Sequence, residues 1–480
     1  MKQSQMIIIL VLCSFFLFGL ASSNECFSVI VGKDASANGF VMLAHTEDFD
    51  PVQNIDFRKY SQGEAFLSED AIPEVYRGSD SISERFIVSV PTEKFSDCIM
   101  NEYGVIVASD QCPSRQDNPE VVDGGIDKAL RHLVGERAVS ARAGVHLAGE
   151  IVERVGYASN GRTYMICDPQ EGWVFCAIGG RHWLAARVPD DEVAVIANSF
   201  TVNAVNFDDT TRFLASIGLT EYAAGRGWYD SETDSDFVFR HVFADSSAAV
   251  NSANVCRQWS GFRWLREDTV RADWKNLPFS MKPDTKIDIS ALMHIMGDHY
   301  EDSKLFVLPS DSSNPHENKF WAICNPITKL SFIAELRADM PKDIGMVYWL
   351  CLGRPCTSFY VPFYFGMDEI PEFYRLRPID ESAYGSTDIA SLPDSLLHNE
   401  AFETFYNYCL WVDSNYASVA DEAAKAKAAY YKDIFSTRDI RERQIDLYSG
   451  SDNLMKSKIE AITRYCIDAA LDAIDKVKSK

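Results

Sequence analysis

Past its first twenty residues the chain has no apolar run long enough to cross a bilayer, no internal repeat and no long Pro/Gly/Ser linker. A retained membrane span and a solenoid both read poorly against that pattern. Positive charge is scarce: 46 Lys and Arg stand against 70 Asp and Glu, a net charge of −24. Nucleic acid and anionic membrane surfaces are therefore poor partners. There is no H-E-x-x-H element and no phosphate-binding glycine loop. His294 and His299, five apart, do not share a helical face, and Cys351 and Cys356 lack a zinc-type partner pair. The expectation is no metal and no cofactor, with those cysteines as disulfides or buried thiols. No N-x-S/T sequon occurs, which fits a bacterial envelope protein better than a heavily glycosylated one. What the chain does have is 46% hydrophobic and 12% aromatic residues over 480 positions, enough to bury a large core in one or two domains.

The N-terminus reads as an export signal. Lys2 supplies a positive n-region, Met6 to Leu20 is apolar apart from Ser14, and Gly19, Ala21, Ser22 and Ser23 are the small residues of a cleavage site. Residues 1–23 are expected to be a signal peptide and 24–25 a short propeptide. The mature chain would then work in a secreted, periplasmic or lysosome-like space. Of 12 cysteines, Cys13 would leave with the leader. An odd number remains, so one thiol is free or intermolecular and the rest can pair. Cys26 could be half of a disulfide. The alternative is more consequential: a trim between Glu25 and Cys26 makes Cys26 the mature N-terminus, a nucleophile carrying its own amine.

Cys26 opens a strand of β-branched and apolar residues to Gly32, Asn38-Gly39 is a hairpin turn, and Phe40 to Ala44 returns. The returning strand carries His45-Thr46-Glu47-Asp48 back beside Cys26. Further strands are expected at 85–90 and 105–108, a helix from Ile126 to Val155, and a four-strand meander at 163–167, 173–178, 183–188 and 193–197. Residues 199–298 are mixed. Strand character returns at 319–324, 330–336 and 346–352, and the chain is helical from about Leu396. Together these give an α+β fold with sheets covered by helix layers.

With these elements in place, the sequence resembles the dipeptidase A and secernin family of N-terminal-nucleophile cysteine peptidases, related to penicillin V acylase and bile salt hydrolase. The resemblance rests on Cys26 with Val31 to Ser36 and Asn38-Gly39, and on the His45 to Asp48 tetrad, which the family usually begins with arginine. It continues through Asn101-Glu102-Tyr103-Gly104-Val105, Asp168-Pro169 with Glu171 and Trp173, and Gly180 to Trp183. Arg187 to Glu192 ending at Asn198, His299 to Asp302, and Gly353-Arg354-Pro355 with Ser358 to Pro362 complete it.

The resemblance implies a four-layer αββα sandwich over residues 26–395, with helices of 396–480 packed on it, and hydrolysis of amide bonds in dipeptides. Cys26 would be nucleophile and, through a freed α-amine of unperturbed pKa about 7.7–8.0, its own general base. Asp48 would orient the ammonium; by itself it would read as a solvated turn carboxylate. Asn198, otherwise a turn residue, would donate to the oxyanion together with a backbone N–H from a Ser109-Asp110-Gln111 turn. His45 departs from the family's arginine. An ordinary histidine is charged only below about pH 6.5, so its help to the thiol is expected chiefly in acid. Arg257 and Arg263 are candidates for a second substrate-facing cation. The rival readings are an N-acyl amide hydrolase of the same fold and a secreted, non-catalytic relative. Small peptides are the expected partners, and a homo-oligomer is compatible with the sequence.

Overall fold

The computed structural model describes residues 26–77, 82–90, 95–115, 120–266, 273, 275–385, 387–447 and 451–480. The signal peptide of residues 1–23 and the propeptide of 24–25 lie outside the described residues. Fifteen strands form two large sheets: β1 Phe27–Val31, β2 Val41–Asp48, β3 Asp56–Tyr60, β4 Arg85–Val90, β5 Phe95–Asn101, β6 Ile106–Gln111, β7 Arg162–Cys167, β8 Gly172–Ala177, β9 Trp183–Arg187, β10 Val193–Ile196, β11 Phe213–Ala215, β12 Ser280–Met281, β13 Thr328–Leu336, β14 Met346–Leu352 and β15 Val361–Tyr364. The first sheet runs β12-β10-β1-β2-β13-β14-β15 and the second β11-β9-β8-β7-β6-β5-β4-β3.

Both faces of the second sheet are covered, which is why its strands read as nearly continuous apolar runs. Along β8, Val174 and Cys176 face the core between the sheets. Trp173, Phe175 and Ala177 face outward, against helices α1 (Ala129–Arg137) and α2 (Ala141–Val155). The first sheet is backed by the helices Ser252–Arg263, Ile289–Met296, Glu400–Ser414 and Asp452–Lys478, the last packed on Tyr416–Asp446. Helix, sheet, sheet and helix thus stack as the αββα sandwich. Among the described residues, no helix is long and apolar enough to cross a membrane.

Four expectations change. The helix expected over 126–155 is two helices: Ser140 caps α2 by accepting from the Ala143 N–H at 3.2 Å. The break is fixed from outside, since Asn101 Nδ2 donates to the Gly135 and Ala138 carbonyls at 2.9 and 2.8 Å. Asp168 accepts from the Ala141 N–H at 2.7 Å. The meander holds only through β9. Its fourth strand, β10, crosses to the first sheet and pairs with β1. Residues 319–324 are irregular rather than a strand. Finally, the eleven described cysteines are all free thiols. Cys98, Cys167 and Cys176 sit inside the inter-sheet core, where each fills space as a small apolar side chain.

The hairpin of β1 and β2 also leans on the Pro189-Asp190 turn. The Asp190 carbonyl accepts from the N–H groups of Asp34 and Ala35 at 2.7 and 2.9 Å. A Cβ at Gly32 would sit 2.4 Å from the Pro189 and Asp190 carbonyl oxygens, so only glycine permits this approach.

Candidate active site

Strand register builds the site. In the β1–β2 pair, Phe27 lies opposite Thr46 and Ser28 opposite His45. In the β1–β10 pair, Ser28 lies opposite Ile196. Continuing both registers past the strand end sets Cys26 between Glu47 on one side and Asn198 on the other. Because side chains alternate, Cys26, Ser28, His45 and Glu47 share the face that looks onto the second sheet. There β5 contributes Asp97 and β6 contributes Asp110.

These side chains form one buried polar network. Cys26 Sγ donates to Glu47 Oε2 at 3.2 Å. His45 Nε2 reaches the same Glu47 Oε2 at 3.2 Å and Asp97 Oδ1 at 3.0 Å. The Nδ1 of His45 lies 2.8 Å from Ser28 Oγ and 3.3 Å from Asp110 Oδ1. Ser28 Oγ donates to Asp110 Oδ1 at 3.2 Å. The outer helix layer holds the acidic strands in place, with Arg131 of α1 donating to the Ser96 and Asp97 carbonyls and, at 2.7 Å, to Ser109 Oγ.

Burial penalises every charge here, and the partners decide which survive. For His45 burial pulls the imidazole pKa down, but the charge of Asp97 and hydrogen bonds with Asp110, Asp97 and Glu47 outweigh it and hold it well above 6.5. The acid-only charge expected of an ordinary histidine therefore does not apply. The charged imidazolium is favoured to higher pH, toward the role an arginine would fill. Burial and the neighbouring Asp97 push Glu47 up to about 8. Burial, then the charges of Glu47, Asp110, Asp48 and Asp97, push the Cys26 thiol well above its usual value. With its nitrogen acylated, Cys26 is a protonated thiol.

Asn198 sits at the end of β10 with φ of 39°, a left-handed conformation that asparagine tolerates better than most residues. Its Nδ2 donates to the Gln111 carbonyl at 3.0 Å, and its Oδ1 accepts from Arg257 Nη2 at 2.9 Å. Its own carbonyl accepts from Asn254 Nδ2 at 3.2 Å. Arg257 is fully buried and its Nη1 donates to the Cys26 carbonyl at 3.0 Å. Of the two candidate cations, then, Arg257 stands at Cys26. Arg263 is engaged instead by Ser260, Asp298 and the Glu301 carbonyl. Asp48 is next to Glu47 in sequence but on the other face of β2, where Asn325 Nδ2 donates to its Oδ2. Residues Ser109 to Gln111, expected as a turn, belong to β6 and pair with β7.

Glu47, Ser28, Asp97 and Asp110 were not singled out from sequence. The available signal was carboxylates in apolar strands, and a register that puts Glu47, not Asp48, across from Cys26. His182, within the Gly180 to Trp183 stretch, packs against Tyr222, with its Nδ1 2.9 Å from Ser216 Oγ.

Among the described residues, two groups of side chains bring metal-ligating atoms within 4.8 Å of one another: Cys26, His45 and Glu47, and, elsewhere, His299, His316, Cys324 and Cys356. The first is the network just described. In the second, Cys356 does have partners, supplied by segments distant in sequence.

The Glu47 shift has a thermodynamic consequence. An unfolded glutamate releases its proton near pH 4.3, the native one near 8. Between these values the native state binds more protons, so this group makes stability fall as pH rises through the window. His45 acts in the same direction, its stabilisation present below pH 6.5 and lost as pH passes its raised native value. The expected result is a urea midpoint that declines from pH 5 to 8, with Glu47→Gln flattening that decline. An identical slope in the variant would contradict the placement of the shift.

Residues 113–404 match the sequence profile described as peptidase family C69. A probable dipeptidase of Latilactobacillus sakei is 26% identical over 430 residues, covering 85% of this chain and 87% of its own. Probable dipeptidase B of Lactococcus lactis subsp. lactis is 26% identical over 370 residues, 73% of this chain and 77% of its own. Probable dipeptidase A of Streptococcus pyogenes serotype M1 is 27% identical over 372 residues, 73% and 77% respectively. Among solved structures, a mutant conjugated bile acid hydrolase from Clostridium perfringens aligns at 12% identity and a TM-score of 0.34, over 68% of this chain and 89% of that one.

Proposed function

The chain belongs to peptidase family C69, as an amide-bond hydrolase, and from that premise we propose that it is an exported cysteine dipeptidase activated when Cys26 becomes N-terminal. One observation carries the reading: Cys26 stands directly before β1, an interior strand of the first sheet, its thiol on Glu47 and its carbonyl on Arg257. A nucleophile held at both ends is pre-positioned, and misplacement by about 1 Å typically costs about 100-fold.

Maturation supplies what the buried thiol lacks. Four carboxylates oppose the thiolate while the Cys26 nitrogen is acylated. Cleavage of the preceding bond frees an α-amine of ordinary pKa about 7.7–8.0 on the same residue. That amine takes the thiol proton as sulfur attacks the scissile carbonyl, then returns a proton to the departing amine. Asp48 orients the ammonium. Asn198, clamped by Arg257 and Asn254, faces the developing oxyanion. Water then hydrolyses the thioester, with the α-amine again as base.

N-terminal sequencing of the secreted protein, with a panel of dipeptides set against N-acyl amino acids, tests the proposal. Cys26 as the first residue and turnover of dipeptides is the expected result. Preference for N-acyl amides would move it to the acylase-type reading, and full activity with residue 25 still attached would refute the amine as base.

A further inference from the structure

Four segments meet where β13 begins and β14 ends, and none of their side chains belongs to the hydrogen-bonded network around Cys26. His299 follows the helix Ile289–Met296, His316 lies in a short 3-10 turn at Pro315–Glu317, Cys324 ends the irregular 319–324 stretch, and Cys356 follows β14. One donor atom from each of these four lies within 4.8 Å of the others.

Both imidazoles are oriented from behind. His299 Nδ1 donates to Glu301 Oε1 at 2.8 Å, and His316 Nδ1 donates to Asp413 Oδ1 at 2.9 Å. A carboxylate only accepts, so Nδ1 carries a proton in each ring and Nε2 is the atom turned inward, a ligand for a metal once it carries no proton. Carboxylate-backed histidines of this kind are the usual outer shell of metal-bound imidazole. His316 Nε2 lies 3.4 Å from Cys356 Sγ and 3.6 Å from Cys324 Sγ. A tetrahedral ion with Zn–N near 2.0–2.1 Å and Zn–S near 2.3 Å separates N and S by about 3.6 Å. The buried Nε2 of His299 has no hydrogen bond to satisfy it. An unsatisfied ring nitrogen beside two cysteine sulfurs and a second imidazole is a donor set that fits a cation.

We propose that His299, His316, Cys324 and Cys356 bind one structural Zn2+. Binding releases the two thiol protons, so two thiolates balance the ion and the buried site is neutral. All four tetrahedral positions are protein atoms, which leaves none for water or substrate and makes the site structural rather than catalytic. The ion fastens the irregular 297–327 stretch to the loop after β14. Through Asp413, which also pairs with Arg354, it fastens both to the helix Glu400–Ser414. Cys324 is followed by Asn325, whose side chain donates to Asp48. The metal therefore also steadies one wall of the site around Cys26.

The test uses full-length processed protein, purified without chelator or polyhistidine tag. Elemental analysis is expected to give one zinc per chain. Protein stripped with chelator and kept reduced is expected to lose about 5 °C or more in Tm, recovered on adding Zn2+. With Co2+ instead, it is expected to develop the d–d absorption of a tetrahedral thiolate site. Cys26→Ala should keep the full equivalent, and Cys324→Ser and His316→Gln should each lose it. The proposal is overturned if stripped wild-type protein takes up no Zn2+, if Cys26→Ala abolishes uptake, or if intact mass shows Cys324 and Cys356 oxidised to a disulfide with no metal.

Discussion

Cys26→Ala is expected to lower dipeptide hydrolysis by about 10⁴-fold or more, with the free energy of urea unfolding within about 1 kcal/mol of wild type. The size of the loss follows from how little else in the site can attack a carbonyl. Ser28 Oγ shares the face of the nucleophile, but it is committed to His45 and Asp110. No other cysteine belongs to the network, and the carboxylates around it are weak nucleophiles buried among one another. Removing sulfur leaves Arg257, Asn198 and the buried cage in place, so binding and fold should persist while chemistry stops. Cys26→Ser is the sharper companion. Its hydroxyl fits the same space, but a far higher pKa leaves the α-amine with a much harder proton to remove, so partial activity well below wild type is the expected outcome. Intact mass of both variants adds a second readout. A chain that trims itself keeps residues ahead of position 26 in Cys26→Ala, whereas a chain trimmed by another protease does not. Near-normal turnover by Cys26→Ala would remove this residue from the chemistry altogether.

Local signals in the sequence sufficed for the hairpin and the residues it carries. Asn38-Gly39 and the β-branched run from Phe27 predict a strand pair, and pairing returns His45 to Asp48 to the start of β1 without any long-range information. The signal stopped at which residue faces the thiol. A one-residue difference in register exchanges the two faces of a strand, and loop length rather than composition sets that register. Hence Asp48 was expected opposite Cys26, where Glu47 stands. The passage of β10 from the second sheet to the first was not legible either. Val193 to Ile196 is equally apolar in either sheet, and only tertiary packing decides where it pairs. That crossing brings Asn198 to Cys26, so the spatial relation between them could come only through the family resemblance. The four metal-ligating residues from His299 to Cys356 are the extreme case. No two of them have a recognisable spacing, because each arrives on a separate segment, and the two histidines are aligned by different carboxylates.

Arg257→Lys should lower kcat by about 100-fold while changing KM only a few-fold, and should lower stability measurably without unfolding the chain. The guanidinium donates hydrogen bonds in separate directions, among them to the Cys26 carbonyl at 3.0 Å, to Asn198 Oδ1 at 2.9 Å, to Asn254 Oδ1 at 3.0 Å and to the Ala253 carbonyl at 3.2 Å. Its planar fork matches that arrangement, whereas a lysine ammonium on a flexible stem reaches one acceptor well and the others poorly. Each buried acceptor left unmet costs about 1–3 kcal/mol, which the urea midpoint will register. The catalytic loss has a different origin. Arg257 is a positioning residue: it fixes the carbonyl of the residue that attacks and the side chain proposed to receive the oxyanion. Loosening both ends widens the range of sulfur-to-carbonyl geometries, and a displacement of about 1 Å is enough for a 100-fold penalty. Because these contacts are made to protein atoms rather than to substrate, the loss belongs in kcat. A variant whose KM rises in proportion while kcat holds would instead mark Arg257 as a substrate ligand.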